Sequence, residues 1–284
     1  MKHRRPFLAM AFCLLGHPLV PQQSPSSPPP AAPAVPELTA DQLEARSLTQ
    51  QAIAWFGKGE CKRAAELAAR AEALDPRHEL AVRVQGWCAV AAGDDARAAE
   101  LLTRALNLDP ANREVQRLLA GCHVRLEEWG AAKDLLTDLL QKQGPGVGLL
   151  TALAECCAGE GDAPGALALL KKARELAPKD RDVVLAIIAV HEQFEAWAEA
   201  SAELKPLLAA TPGDAPLRWR LIHCRLSAKD YPAAISELED ACRVLGDDPQ
   251  PHELLVELFT SHLPDPSRLA THQEWLKAWK LRRR

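Results

Sequence analysis

The chain has 284 residues, of which 48% are hydrophobic and 25% charged, with a formal net charge of -4. This charge gives no general attraction to nucleic acid, because binding to phosphates needs clustered Lys and Arg side chains. Ala and Leu dominate, Tyr occurs once, and β-branched residues are thinly spread. This composition favours an all-α fold.

The N-terminal residues have the pattern of an export signal. Lys2, Arg4 and Arg5 precede an apolar run from Phe7 to Val20, and no acidic residue occurs before Glu37. This order predicts a signal peptide over residues 1–20 and a periplasmic or secreted protein, with a cytoplasmic location as the alternative. The run is shorter than the roughly 20 apolar residues of a spanning helix, so we expect no integral membrane span.

The next segment, 21–36, is rich in Pro, Ser and Ala and is typical of an extended linker. Cys13 is a weak candidate for lipidation, because Phe12 precedes it where a small residue is usual.

A 34-residue period follows the linker. Pro76, Pro110, Pro178 and Pro212 are spaced by 34, 68 and 34 residues. When these prolines are set as position 32 of each unit, position 20 is Ala in six successive units, position 8 is small in four, and position 15 is Gly in three. The residues are Ala64, Ala98, Ala132, Ala166, Ala200 and Ala234 at position 20, Ala52, Gly86, Ala120 and Ala154 at position 8, and Gly59, Gly93 and Gly161 at position 15.

This pattern resembles the tetratricopeptide repeat family over roughly residues 45–248. The resemblance implies a right-handed α-solenoid of about six helical hairpins, in which small residues at positions 8 and 20 allow two helices to pack closely. We therefore expect the solenoid over 37–250 and a degenerate hairpin of capping helices over 251–284.

Three departures from the repeat predict local differences. Ile188 and Ile222 replace the small residue at position 8 and predict more open fifth and sixth hairpins. Pro206 falls inside a predicted helix and should kink it. Gly144 to Gly146 replaces the Asp-Pro ending of the third unit and predicts an inter-repeat turn.

Four of the eight cysteines, Cys88, Cys122, Cys156 and Cys224, share position 10. Equivalent positions in successive repeats lie roughly 10 Å or more apart, whereas a disulfide needs Cα atoms within about 7 Å. We predict that the four are buried free thiols. A pair of Cys224 with Cys242, or a pair that uses Cys61 or Cys157, stays open.

No motif indicates catalysis, a metal site or a cofactor. The chain has no CxxC pair, none of its His-Glu pairs has a second His four residues later, and its Gly-rich segment at 144–148 lacks the Gly-Lys ending of a phosphate loop. We therefore predict that the protein is not an enzyme.

The family resemblance implies a concave groove lined by the first helix of each repeat, with a protein or peptide as partner. The candidate residues in this groove are Phe56, Arg83, Trp87, Arg117, Arg125, Trp219 and His223. Trp and Arg often dominate interface energetics, and the arginines predict an acidic or C-terminal segment as ligand. The groove should change sign at Glu155, Asp182 and Glu192. The alternative is that the Trp rings cover neighbouring helices and the arginines are paired locally.

The leading functional hypothesis is an exported scaffold that binds a protein segment. A regulatory or substrate-recruiting subunit of an enzyme complex and an intracellular assembly scaffold are the alternatives. The basic C-terminus, with Lys277, Lys280 and the three arginines 282–284, could contact anionic surfaces or could simply place favourable charge at a helix C-terminus.

Overall fold

The computed structural model describes residues 38–283, and in this range the chain forms fourteen α-helices and no strand. All of them lie in the compact unit that begins at Ala40. The predicted signal peptide, the linker and Cys13 lie outside the described residues. Among the residues that are described, no helix combines the length and apolar character needed to cross a membrane.

The helices form successive antiparallel pairs. Their bounds are α1 Ala40–Phe56, α2 Cys61–Leu74, α3 Glu79–Ala92, α4 Asp95–Leu108, α5 Arg113–Arg125, α6 Trp129–Gln143, α7 Val147–Gly159, α8 Ala163–Leu176, α9 Arg181–Gln193, α10 Trp197–Ala210, α11 Ala215–Ser227, α12 Tyr231–Leu245, α13 Gln250–Ser261 and α14 Pro266–Arg282. Each helix packs against the next in sequence, and the first helices α1 and α3, α5 and α7, and α7 and α9 also touch.

The helix starts reproduce the 34-residue period. The first helices of repeats two to six begin at residues 79, 113, 147, 181 and 215, and the second helices of repeats one to six begin at 61, 95, 129, 163, 197 and 231. The terminal pair α13 and α14 begins one residue late in this register. The prediction of an all-α solenoid with six hairpins and a degenerate terminal hairpin is therefore confirmed for the described part of the chain.

Small residues allow the two helices of a hairpin to pack closely. All six alanines at position 20 are 0% exposed. At position 8 of repeat two, a Cβ atom added to Gly86 would lie 2.8 Å from Cδ2 of Leu102. The backbone of α3 can therefore approach the Leu102 side chain on α4 only because Gly86 has no side chain.

The larger residues Ile188 and Ile222 are also buried at position 8. In these two hairpins fewer positions of the two helices lie close together than in the first four, in the direction that the prediction of more open hairpins expects. Pro206 lies inside α10, where it cannot donate a hydrogen bond to the carbonyl of Ala202. The helix nevertheless continues to Ala210, and a kink there stays a prediction.

The four cysteines at position 10 are buried, as predicted, and all seven described cysteines are free thiols. Burial raises the pKa of Cys88 and Cys156 to about 11 and that of Cys224 to about 12. At neutral pH these side chains are therefore protonated thiols that fill the core as small apolar groups.

The turn residue at position 15 has a positive φ angle in every hairpin of the six. Gly59, Gly93 and Gly161 occupy it in three repeats, and the other three have Glu127 at 58°, Glu195 at 56° and Lys229 at 58°. This left-handed conformation brings the Cβ atom of an L-residue close to the following carbonyl oxygen, so Gly adopts it more readily than Glu or Lys.

Replacement of Glu127 by Gly should therefore raise the free energy of unfolding by about 1 kcal/mol, because it removes this steric cost. Glu127→Ala is the matched control, since it removes the same side chain but keeps the Cβ atom. Chemical denaturation followed by circular dichroism gives both values. Equal stability of the two variants would show that the turn is not strained.

Candidate binding surface

The first helices of the repeats carry all seven candidate binding residues, and Arg83 is the most enclosed of the three candidate arginines. Its side chain is 18% exposed, with Nε 3.4 Å from Oε1 of Glu79 and Nη1 3.5 Å from Oε2 of Glu114. Its guanidinium also lies over the Trp87 ring, 5.3 Å from the centroid. Arg83 is therefore paired locally, which was the alternative role considered for the arginines, and its charge connects α3 with α5.

Arg125 at the end of α5 is also paired locally. Its Nη2 atom lies 2.6 Å from Oδ1 of Asp95, the first residue of α4, and its Nε donates to the same oxygen at 2.8 Å. This hydrogen bonding raises the pKa of Arg125 and lowers that of Asp95. Arg125 remains half exposed, but a ligand would have to compete with an internal carboxylate for it.

Arg117, one turn into α5, differs from the other two. Its side chain is exposed, and within residues 38–283 it makes no hydrogen bond or ion pair. It borders a cavity of about 640 Å³ between α5 and α7, which we call the α5–α7 cavity. The principal lining residues are Arg117, Gly121, Val124, Leu149, Ala152 and Glu155, with Arg125 at the edge.

The α5–α7 cavity has opposite charges on its two walls. Arg117 belongs to α5 and Glu155 to α7, and Glu155 is likewise exposed and unpaired in the described part of the chain. Gly121, between Arg117 and Arg125 on α5, has no side chain to fill the space. The cavity therefore has an apolar lining of Val124, Leu149 and Ala152, and among residues 38–283 neither Arg117 nor Glu155 has an ion-pair partner.

Phe56 and Trp87 meet in a separate hollow of about 330 Å³, lined also by Val90 and Leu118. Their ring centroids are 5.8 Å apart. The lining of this hollow is mainly apolar, and its charged member is Glu114, the partner of Arg83. No cation among the described residues lines it. Five of the seven candidate groove residues thus lie around two separate cavities or beside them: Phe56, Trp87, Arg83, Arg117 and Arg125.

Trp219 and His223 on α11 line neither the α5–α7 cavity nor the hollow at Phe56 and Trp87. Trp219 is half buried against the apolar cluster of repeat six. His223 is exposed, and its ring and that of Trp197 form a T-shaped pair with 5.6 Å between centroids. Trp219 thus covers a neighbouring cluster, which was the alternative role considered for it, while His223 remains accessible.

Two of the charges beyond α7 and at the C-terminus are also neutralised. Glu192 accepts hydrogen bonds from Nε of Arg220, at 2.9 Å to Oε1 and 3.1 Å to Oε2, and from Nη2 of Arg220 at 2.7 Å. Arg282 lies 3.3 Å from Asp247, so part of the basic C-terminus folds back onto the preceding repeat. Helix periodicity predicted which residues share a face, but it could not predict these pairings between repeats.

The fold and this surface define the chain as a helical-repeat protein whose first helices offer cavities to a ligand. Models of the tetratricopeptide repeat match residues 49–113, 89–154 and 158–216, together more than half of the chain. The chain therefore belongs to the tetratricopeptide repeat family. Members of this family bind protein partners and are typically non-catalytic scaffolds.

Solved structures support the same fold. A tetratricopeptide repeat protein from Parabacteroides merdae has a TM-score of 0.62 at 15% identity, with 84% of this chain and 93% of that chain covered. MamA from Desulfovibrio magneticus has a TM-score of 0.55 at 12% identity, over 63% of this chain and 99% of that one. PilF from Pseudomonas aeruginosa has a TM-score of 0.52 at 15% identity, over 77% and 100%. At these identities the likeness concerns the fold alone, and the comparison with curated proteins gave no significant match.

Proposed function

We propose that this protein is a non-catalytic scaffold that binds an acidic segment of a partner protein in the α5–α7 cavity. The observation that carries the proposal is Arg117, an exposed guanidinium at the wall of a cavity of about 640 Å³, which has no partner in the part of the chain that the structure describes. An Arg side chain can bind a carboxylate through two parallel hydrogen bonds, which gives geometric specificity as well as energy.

The opposite wall adds a constraint on the ligand. Glu155 would repel an acidic group placed beside it and would favour a Lys or Arg side chain. A segment with an acidic residue at Arg117 and a basic residue at Glu155 therefore matches the cavity best. Its intervening apolar side chains would lie on Val124, Leu149 and Ala152, which form the apolar lining.

A panel of fluorescent peptides tests this preference. Peptides with an acidic and a basic residue on either side of an apolar centre should bind the full chain, and Arg117→Glu should weaken that binding by about tenfold or more, because a charge-assisted hydrogen bond is lost and a repulsion is added. Raised salt should also weaken binding, since an exposed ion pair is screened. Fluorescence polarisation measures each affinity.

Arg70→Glu is the matched control. Arg70 is an exposed arginine on α2, makes no ion pair among the described residues and lines neither hollow. Its replacement should leave peptide affinity unchanged, and both variants should keep the wild-type circular dichroism spectrum. Unchanged affinity in Arg117→Glu, or an equal loss in Arg70→Glu, would contradict the proposed site.

Export is the second part of this proposal. The basic residues before the apolar run from Phe7 to Val20 support it. Fractionation of cells that express the full chain, followed by N-terminal sequencing, should find the protein outside the cytoplasm and without Met1. A cytoplasmic protein that retains Met1 would favour the intracellular scaffold instead.

A further inference from the structure

Three potential metal ligands converge where the terminal hairpin packs on repeat six. They are Cys242 on α12, His252 on α13 and His272 on α14, and their donor atoms all lie within 4.8 Å of one another. The two histidines are buried and Cys242 is half buried. The Nδ1 atoms of His252 and His272 are 2.9 Å apart.

We propose that Cys242, His252 and His272 form a Zn²⁺ site that fastens the terminal hairpin to the sixth repeat. Two imidazole nitrogens and one sulfur are ligands that zinc prefers, and three protein ligands plus a water complete its usual tetrahedron. This inference is independent of the proposed function, because it concerns three other helices and no residue of the α5–α7 cavity.

The observed spacing requires only small movements for zinc to bind. A tetrahedral zinc with bonds of about 2.0 to 2.3 Å places its ligand atoms about 3.3 to 3.6 Å apart. The two Nδ1 atoms would separate by a few tenths of an ångström from 2.9 Å, and the sulfur would approach from within 4.8 Å. Side-chain rotations of this size need no change in the packing of the helices.

Protonation of the histidines favours this geometry. Burial lowers the pKa of His252 to about 4 and also lowers that of His272, so both rings are neutral at pH 7. Without metal, one Nδ1 must carry the proton of the 2.9 Å hydrogen bond. When zinc binds, that ring changes tautomer so that its proton sits on Nε2, and both Nδ1 lone pairs point to the metal.

Zinc binding would release the proton of the Cys242 thiol. Burial raises the pKa of Cys242 to about 11, so it is a thiol before the metal binds. Formation of the Zn–S bond breaks the S–H bond, and one proton passes to the solvent with no change in oxidation state. The cost of this proton release reduces the apparent affinity at neutral pH but leaves the ligand set intact.

Neighbouring aromatic rings hold both imidazoles in place. The Trp275 ring stacks on His252 with 3.8 Å between centroids and 7° between planes. Phe259 lies parallel to His272 at 6.0 Å. The nearby cation Arg268 is paired with Glu239, which stands one turn before Cys242 on the same helix, so the site does not face an uncompensated positive charge.

Cobalt and zinc titrations of the full chain, stripped with EDTA and kept reduced, test the site. One equivalent of Co²⁺ should give the absorption bands of a tetrahedral thiolate complex, and Zn²⁺ should displace it. Free Zn²⁺ about 100-fold above its dissociation constant should raise the Tm by about 5 to 10 °C. Cys242→Ser should abolish the thiolate band and lower metal affinity by at least about tenfold.

Cys61→Ser is the matched control, because Cys61 is another half-buried cysteine, and it should keep the band and the affinity. A second measurement needs no variant: Zn²⁺ should slow the alkylation of Cys242 in the wild-type chain, but not that of Cys61, as followed by peptide mass spectrometry. Absence of both the band and this protection would overturn the proposal, as would a thiolate band that persists in Cys242→Ser. Protection by Cu⁺ alone would overturn the assignment to zinc.

Discussion

Replacement of Phe259 by Ala should lower the free energy of unfolding of the terminal hairpin by about 3 to 5 kcal/mol. The Phe259 side chain is 2% exposed and packs in one cluster with Ile222 and Leu238 of repeat six. Truncation removes its transfer free energy and leaves a cavity that the surrounding helices can fill only in part. Arg268, whose guanidinium lies 4.7 Å from the ring centroid, loses its contact as well.

The loss should be confined to one end of the protein, because each repeat contacts only its neighbours. Hydrogen exchange measured with EDTA present should therefore accelerate in α12, α13 and α14 and stay unchanged in α1 to α4. Phe56→Ala is the matched control, since Phe56 is only half buried at the other end of the chain. Phe56→Ala should leave exchange in α12 to α14 unchanged, and unchanged exchange there in Phe259→Ala would show that Phe259 does not anchor the hairpin.

Much of the fold could be predicted from the sequence because a 34-residue period constrains every repeat in the same way. The prolines set this period, and α5 and α9 each begin three residues after one of them, at Arg113 after Pro110 and at Arg181 after Pro178. The turn at position 15 was predicted only in part. Gly was recognised there in three repeats, but Glu127, Glu195 and Lys229 adopt the same conformation, since the hairpin packing around the turn outweighs the preference of the residue.

The candidate site was less predictable, because charges are neutralised by residues from other repeats. Arg83 and Arg117 were correctly assigned to first helices, yet only Arg83 has a carboxylate of the next repeat, Glu114, within 3.5 Å. Whether such an arginine is paired depends on the side-chain directions of two helices from different repeats, and the pattern within one repeat does not contain that information. The seven residues chosen from the sequence therefore included two arginines that are paired with carboxylates, Arg83 and Arg125, and one, Arg117, that has no partner among the described residues.

The cluster of Cys242, His252 and His272 was missed for a related reason. Its members are 10 and 20 residues apart and belong to three helices, so no short spacing identifies them. Cys242 was considered only as a disulfide partner of Cys224. The degenerate hairpin departs from the repeat register, and the repeat positions consequently give no guide to which side chains meet there.

Ala98→Leu should lower the free energy of unfolding by about 1 to 3 kcal/mol through overpacking. Ala98 occupies position 20 of repeat two, is 0% exposed and lies in one cluster with Leu102 and Val115. On the facing helix, Gly86 already leaves no room for a Cβ atom beside Leu102. The added isobutyl group would therefore have to push α3 and α4 apart or force side chains out of their preferred rotamers.

Ala96→Leu is the matched control for this substitution. Ala96 is exposed and lies two residues earlier on α4, so the same change of side chain meets solvent instead of a neighbouring helix. Its stability should stay within about 0.5 kcal/mol of wild type. Urea denaturation followed by circular dichroism compares the two variants. If Ala98→Leu were as stable as Ala96→Leu, position 20 would not be the point of closest helix approach, and the packing deduced for all six repeats would need a different register.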